Sequence, residues 1–237
     1  MNEKIEWKII RFDCIPSTSD YAKSLRQNGE NAVIIAAAQS GGRGTKGRSF
    51  SSEKGGVYLS ALTFYKNFPA NEAFQIMAGA ATAVCKTLES FGLQPNIKWP
   101  NDIYVNDKKI CGILIENTFS GAFVANSVVG IGLNVNNSLP KELAKIATTM
   151  REILGEETPV LKVEERLIEN LGASFFKGFL MEEYTSRLGY LGVPATLLVG
   201  EETLVATPCG VTEKGELIAL VGMERKTFSA AEVSLRI

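Results

Sequence analysis

Between Gly42 and Ser49 the chain reads GRGTKGRS, three glycines interleaved with the cations Arg43, Lys46 and Arg48. Glycine lets a backbone approach a ligand closely, and the cations between supply charge, a combination suited to a phosphate or an adenylate. Other readings compete. The stretch is one residue off a phosphate-binding P-loop, with Arg48 and Ser49 where that motif needs Lys followed by Ser or Thr. A P-loop also needs a helix after the loop, whereas FSSEKGGVYLS is polar and then strand-like. A plain solvated basic turn fits the charge, but three glycines so close together argue against it. A nucleic-acid loop normally comes with a broader basic face and stacking aromatics, neither visible here.

The missing residue type narrows the chemistry further. The 237 residues contain no histidine, so Ser-His-Asp and Cys-His nucleophilic arrangements and histidine-zinc sites are excluded. Proton transfer near neutral pH falls to carboxylates, lysines or substrate groups. With 25 basic against 26 acidic side chains, there is no global field for nucleic acid or an anionic membrane, and any polyanion site is local. Cys14, Cys85, Cys111 and Cys209 are widely spaced, a pattern of reduced thiols. The start, MNEKIEWKIIRFD, lacks the apolar region of a signal peptide, and no run approaches the roughly 18 apolar residues of a membrane span. A cytoplasmic protein is expected.

The elements that must position the loop are legible in outline. Lys4 to Phe12 alternates as a strand, and Ser17, Thr18 or Ser19 can cap a short helix closing near Gly29. AVIIAAAQS, Ala32 to Ser40, is an apolar run of strand length that leads straight into the glycine-rich loop. GGVYLSALTF reads as the next strand. A helix is expected from Asn71 to about Phe91, ended by Gly92, its Ala/Gly-rich middle packed closely on the sheet. Two apolar runs around Asn106-Asp107-Lys108 signal a hairpin. FVANSVVGIGLNVN adds a strand whose Gly130 and Gly132 leave adjacent space unfilled. From Lys141 to about Leu191 the period is helical, broken at Thr158 to Val160. Beyond Gly192, VPATLLV, EETLVATPCGV, GELIALV and KTFSAAEVSL are short strands that suggest a small β-barrel. The expectation is an α+β protein with a mixed, mainly antiparallel sheet flanked by helices, residues 1–190 forming the main domain and 191–237 the barrel domain.

GRGTKGRSF (Gly42 to Phe50), KWPND (Lys98 to Asp102), GILIE (Gly112 to Glu116) and GIGLNV (Gly130 to Val135) together, in order and spacing, resemble the biotin protein ligases. The resemblance implies the class II synthetase-like catalytic fold of biotin and lipoate ligases with a Src-homology-3-like terminal barrel. It also implies an ATP-dependent ligase that makes biotinyl-5′-AMP and transfers biotin to a lysine of a biotin carboxyl carrier protein. Biotin, ATP and Mg²⁺ would be required, with no nucleic-acid or membrane partner; the carrier's identity and a homodimer through exposed edge strands stay open.

The resemblance also assigns residues. Ser17, Thr18, Ser19 and Gln39 fall at the biotin-ring positions, joined by Gly42, Arg43, Gly44, Thr45, Lys98 and Gly112; for Ser17 to Ser19 a plain helix cap is the alternative. Two anions must meet in the adenylation step, so fixed cations are needed, and Arg43, Arg48 and Lys98 are the candidates. Phe50, Asn101 and Asn134 complete the adenylate set. Asp102 either starts a turn or serves Mg²⁺ or the incoming amine, Trp99 and Pro100 position Lys98, and Glu116 reads as facing solvent. Two departures stand out: Phe50 where the family more often has Trp, and Thr45 where it often has Arg, a lost cation for which Lys46 could compensate. The rival readings are a lipoate or octanoate ligase or transferase of the same fold, and a non-catalytic biotin-sensing module.

Overall fold

The computed structural model describes residues 5–177, 181–200, 202–230 and 233–236; the side chains of Lys46, Phe176, Lys177 and residues 233–236 lie outside that description. The chain runs β1 (Lys8–Phe12), α1 (Thr18–Ser24), β2 (Ala32–Ala36), β3 (Val57–Pro69), α2 (Phe74–Glu89), β4 (Asn96–Lys98), β5 (Asp102–Val105), β6 (Lys108–Ser120) and β7 (Phe123–Leu133). It continues with α3 (Met150–Leu154), α4 (Val160–Lys177), α5 (Met181–Ser186), β8 (Ala195–Val199), β9 (Glu202–Val211), β10 (Leu217–Val221), β11 (Glu224–Phe228) and β12 (Val233–Arg236).

The first seven strands form one sheet in the order β1-β2-β3-β7-β6-β5-β4. Only β1 and β2 pair in parallel; the other neighbours are antiparallel. Its two faces are unequal. On one, Val33, Leu59, Ala61, Ile113, Val129 and Ile131 join the main core with α2 and α4. Small residues make that packing close: Ala78, Gly79, Ala80, Ala81 and Ala83 of α2 are all buried. On the other face, Ile34, Leu62 and Val128 hold only a minor core with Ala22 of α1. The register then sets Ser60 opposite Gly130 and Gly130 opposite Leu114, and in the next row Tyr58 opposite Gly132 and Gly132 opposite Gly112. Glycines in adjacent strands leave this part of the face bare, and the site forms there.

The hairpin expected at Asn106-Asp107 is present, with φ of 49° and 59° at the two residues, the left-handed pair a tight hairpin requires. The helix expected from Asn71 starts at Phe74, after a 3-10 turn over Ala70–Glu72. The helical period from Lys141 is only partly realised before α4. Lys141–Leu143 is a 3-10 turn and α3 has five residues, capped by Thr149 and closed by Gly155 at φ 78°. The reason is non-local: Lys109 N–H donates to Ile146 O (2.9 Å) and Thr148 N–H to Lys109 O (2.9 Å), so this backbone pairs with the start of β6 instead of with itself. The second expected helix appears as α4 and α5, with residues 178–180 outside the described set.

Where a small barrel was expected, the last five strands make a separate antiparallel sheet in the order β11-β10-β9-β8-β12. KTFSAAEVSL is divided between the end of β11 and β12, with residues 231–232 outside the described set. Trp99 joins this sheet to the first: its backbone N–H donates to Tyr190 Oη (2.6 Å) and its indole N–H to Gly215 O (2.9 Å). No helix among the described residues is long and apolar enough to cross a membrane.

Candidate active site

The bare face of the sheet opens into a cavity of about 700 Å³. Of the residues assigned above to biotin, adenylate or metal, all but Gly42 line it: Ser17, Thr18, Ser19, Gln39, Arg43, Gly44, Thr45, Arg48, Phe50, Lys98, Asn101, Asp102, Gly112 and Asn134. Gly42 lies beneath the loop, where an added Cβ would come within 2.5 Å of Phe50 O and Ser52 Oγ.

One end is built from hydroxyls and an amide. Ser17 Oγ caps α1 by accepting from Asp20 N–H (3.2 Å). Gln39, just after β2, accepts from Thr18 N–H (2.8 Å) and Thr18 Oγ1 (3.0 Å). Ser60 of β3 lies 2.8 Å from Thr18 Oγ1 and 3.0 Å from Ser19 Oγ. Gly130 makes the room, since a Cβ there would sit 2.7 Å from Ser19 Oγ. Capping and cavity lining are therefore done by adjacent residues of one turn. Ser60 escaped the sequence reading; its only local signal is a hydroxyl inside the apolar run VYLSALTF.

The other end is cationic. Lys98 closes β4 and donates from Nζ to Tyr104 Oη (3.2 Å), with the ammonium 5.0 Å from that ring's centre. Lys109 Nζ pairs with Asp102 at 2.6 Å, and both line the cavity. Burial, reinforced by the Asp102 charge and opposed by Arg48, pushes the Tyr104 phenol up to about 12, so it is a neutral donor at physiological pH. Arg48 is held within its own loop, donating to Thr45 O (3.2 Å) and Thr45 Oγ1 (3.1 Å). Tyr104 and Lys109 were not singled out from the sequence, because only the pairing of β4 with β5 brings Tyr104 to Lys98 and only that of β5 with β6 brings Lys109 to Asp102.

Arg43 turns to carboxylates. It pairs with Asp20, and its Nη2 lies 3.7 Å from Glu116 Oε2, while Lys23 pairs with both acids at 2.8 and 2.9 Å. Burial is the largest single influence and raises the Asp20 pKa, but the Lys23 hydrogen bond and charge, with Arg43 and Ser17, together outweigh it and hold the carboxyl below its usual range. Glu116, read from the sequence as facing solvent, is instead part of this cluster, with Oε2 buried. Register explains the difference: Glu116 stands opposite Val128, on the face that carries α1.

Phe50 lies on the glycine shelf. A Cβ at Gly132 would fall 2.5 Å from its Cε1, and one at Gly112 3.3 Å from its Cε2. Tyr58 meets the ring edge-on at 6.4 Å between centroids. Asn101 and Asn134 reach the cavity with their amides already engaged: Asn101 Nδ2 donates to Ile113 O (2.8 Å), and Asn134 Nδ2 to Thr148 O (3.1 Å) while its Oδ1 accepts from Asn137 (3.2 Å). Trp99 and Pro100 also line the cavity, and Tyr184 Oη donates to Pro100 O at 2.9 Å.

Residues 11–134 match the model of the biotin/lipoate A/B protein ligase family. The chain belongs to that family. A bifunctional ligase/repressor BirA of Bacillus subtilis is 32% identical over 96% of this chain and 74% of its own length. A biotin--[acetyl-CoA-carboxylase] ligase of Paracoccus denitrificans is 27% identical over 86% of this chain and 90% of its own. Among solved structures, the Aquifex aeolicus biotin protein ligase in complex with biotin and ATP superposes with a TM-score of 0.80 at 29% identity, covering 97% of this chain and 98% of that one. The chain is thus a ligase, and the cavity is the candidate active site of a biotin/lipoate-family ligase. Hydroxyl and amide groups at one end suit a compact polar ring; fixed cations with a neutral phenol at the other suit a reacting centre that accumulates negative charge. Among the described residues no group of three or more acidic, cysteine or histidine side chains gathers to hold a metal. Asp102, read from the sequence as starting a turn or serving Mg²⁺ or the incoming amine, is paired with Lys109 Nζ at 2.6 Å.

Proposed function

We propose that this chain activates biotin with ATP as biotinyl-5′-AMP and transfers it to a lysine of a biotin carboxyl carrier protein. The observation that carries the reading is one cavity with a hydroxyl-amide end at Thr18, Ser19 and Gln39, backed by the buried Ser60, and a cationic end at Lys98 and Lys109. A substrate with a polar ring at one terminus and a carboxylate at the other fits both. The biotin carboxylate oxygen attacks the α-phosphorus of ATP and pyrophosphate leaves; the carrier's lysine amine then attacks the anhydride carbonyl, forming an amide and releasing AMP. Lys98 lies between the two anions and offsets their repulsion, Arg48 and Arg43 neutralise phosphate oxygens, and Phe50 stacks on adenine. Thr18, Ser19 and Gln39 read the ureido ring, which demands directional partners in an otherwise apolar slot. Mg²⁺ arrives as the counterion of the nucleotide substrate. The near-neutral charge favours no nucleic-acid partner, and we place the work in the cytoplasm, with the terminal domain beginning near residue 191.

The test is exchange of labelled pyrophosphate into ATP by the purified protein with Mg²⁺, with biotin, lipoate or octanoate as the acid. Exchange with biotin alone is expected. Exchange only with lipoate or octanoate would move the chain to the other branch of its family, and none with any acid would leave a sensing module.

A further inference from the structure

The hydrogen bonds at the hydroxyl end have only one consistent direction. Thr18 N–H can only donate, so the Gln39 atom facing it is Oε1 and the Gln39 amide N–H faces Ser52. Oε1 cannot donate, so Thr18 Oγ1 gives it its proton; Ser60 must then donate to Thr18, and Ser19 to Ser60. On the far side, Gln39 Nε2 donates to Ser52 Oγ (3.0 Å), and Ser52 passes its own proton to Phe50 O (3.0 Å). The chain therefore runs Ser19 to Ser60 to Thr18 to Gln39, and from the other terminus of the same amide to Ser52 and Phe50.

Phe50 is where the glycine-rich loop returns to the sheet. Its N–H donates to Gly42 O (2.9 Å), closing the base of the loop, and Gln39 N–H donates to Ser52 O (3.0 Å). The Gly42 Cα is packed against this junction, leaving no room for a side chain between Phe50 O and Ser52 Oγ. Ser52 itself is buried, does not line the cavity and has no part in the chemistry above. Aligned hydrogen bonds of this kind polarise one another, so a ligand that accepts from the remaining Gln39 N–H or donates to Ser19 Oγ changes the bond reaching Phe50.

We propose that Ser52 is a positioning residue that transmits occupancy of the hydroxyl end to the Gly42–Phe50 loop, and through it to Arg43, Arg48 and Phe50. The inference rests on the biotin reading above and adds the route by which the first substrate prepares the site for the second. A Ser52→Ala chain keeps every group that faces the cavity but breaks the link, leaving Gln39 Nε2 and Phe50 O without their shared partner.

The experiment measures biotin binding by calorimetry, trypsin cleavage at Arg43 and Arg48 with and without biotin, and the KM for ATP in pyrophosphate exchange, on native, Ser52→Ala and Ser52→Thr proteins of checked thermal stability. In the native chain biotin slows cleavage. Ser52→Ala is expected to bind biotin within a few-fold of native, to show no biotin-dependent protection, and to need roughly tenfold more ATP, with the hydroxyl of Ser52→Thr restoring both. Equal protection in native and Ser52→Ala overturns the link while leaving the biotin reading intact. Loss of biotin binding in Ser52→Ala that Ser52→Thr does not relieve makes Ser52 merely structural, which also overturns it. A native chain that binds no biotin overturns the biotin reading and this proposal together.

Discussion

The two ends of the cavity are built on opposite plans. At the hydroxyl end each polar atom is held by another belonging to a regular element: Thr18 and Ser19 on α1, Ser60 on β3, with Gln39 just beyond β2. At the cationic end and in the loop, charges are held by counter-charges, Lys109 by Asp102 and Arg43 by Asp20 and Glu116. A neutral network in a fixed scaffold is shaped before the ligand comes and selects by geometry. A cation resting on a half-exposed carboxylate is held weakly and can be taken over by a stronger anion such as a phosphate. On the function proposed above, recognition and reaction would thereby be divided between a preformed part and an exchangeable part.

The largest effect should come from the cationic end. Lys98→Ala is expected to lower pyrophosphate exchange by about 10²–10³-fold, as loss of a fixed transition-state charge does, while calorimetric biotin affinity changes far less. A loss confined to biotin affinity would reverse the assignment of the two ends. Next, Gly132→Ala forces Phe50 off its shelf, since the new methyl would lie 2.5 Å from the ring. We expect the KM for ATP to rise several-fold with biotin binding retained; unchanged ATP kinetics would remove Phe50 from the nucleotide site.

Smaller still is Glu116→Gln, which keeps the shape and removes one of the charges that park Arg43. A half-exposed pair at 3.7 Å is worth about 1 kcal/mol, so trypsin should cut at Arg43 only a few-fold faster without ligand and equally fast once substrates are bound. Faster cutting in both states would mean that Glu116 organises the loop as a whole. The last test concerns pH. A phenol whose folded pKa stands above its ordinary value of 10.0, at about 12, favours the folded state fully below pH 10 and loses that contribution as pH rises toward 12. Ultraviolet titration of native protein against Tyr104→Phe should therefore show one tyrosine ionising late, and a difference centred near 10 would mean that Tyr104 is more open to water than it stands here.

Much of this was legible in the sequence wherever the signal is local. GRGTKGRS, STS and KWPND carry their chemistry in consecutive residues, and the five buried residues of β2 were visible as an apolar run. What escaped is set by register between distant segments. Ser60, Tyr104, Lys109 and Glu116 are ordinary residues in strand stretches, and only pairing across β3, β7, β6 and β5 brings them to the site. The same holds for residues 141–149, whose helical period lost to hydrogen bonds with Lys109. A single sequence shows what each segment prefers alone; it does not show which partner will claim its backbone.

The bond from the Trp99 indole to Gly215 bears on how such proteins can be recombined. Gly215 has φ 84°, and a Cβ there would fall 2.0 Å from the Phe74 ring, so the seam between the two sheets is keyed by an indole, a glycine and a phenyl ring drawn from three distant parts of the chain. A hybrid carrying another relative's terminal strands would need a glycine in that turn and its carbonyl under the indole, however well the linker was chosen. The residue fixed by that carbonyl adjoins Lys98, so a poorly matched graft would register first as a loss of catalysis, before any loss of solubility.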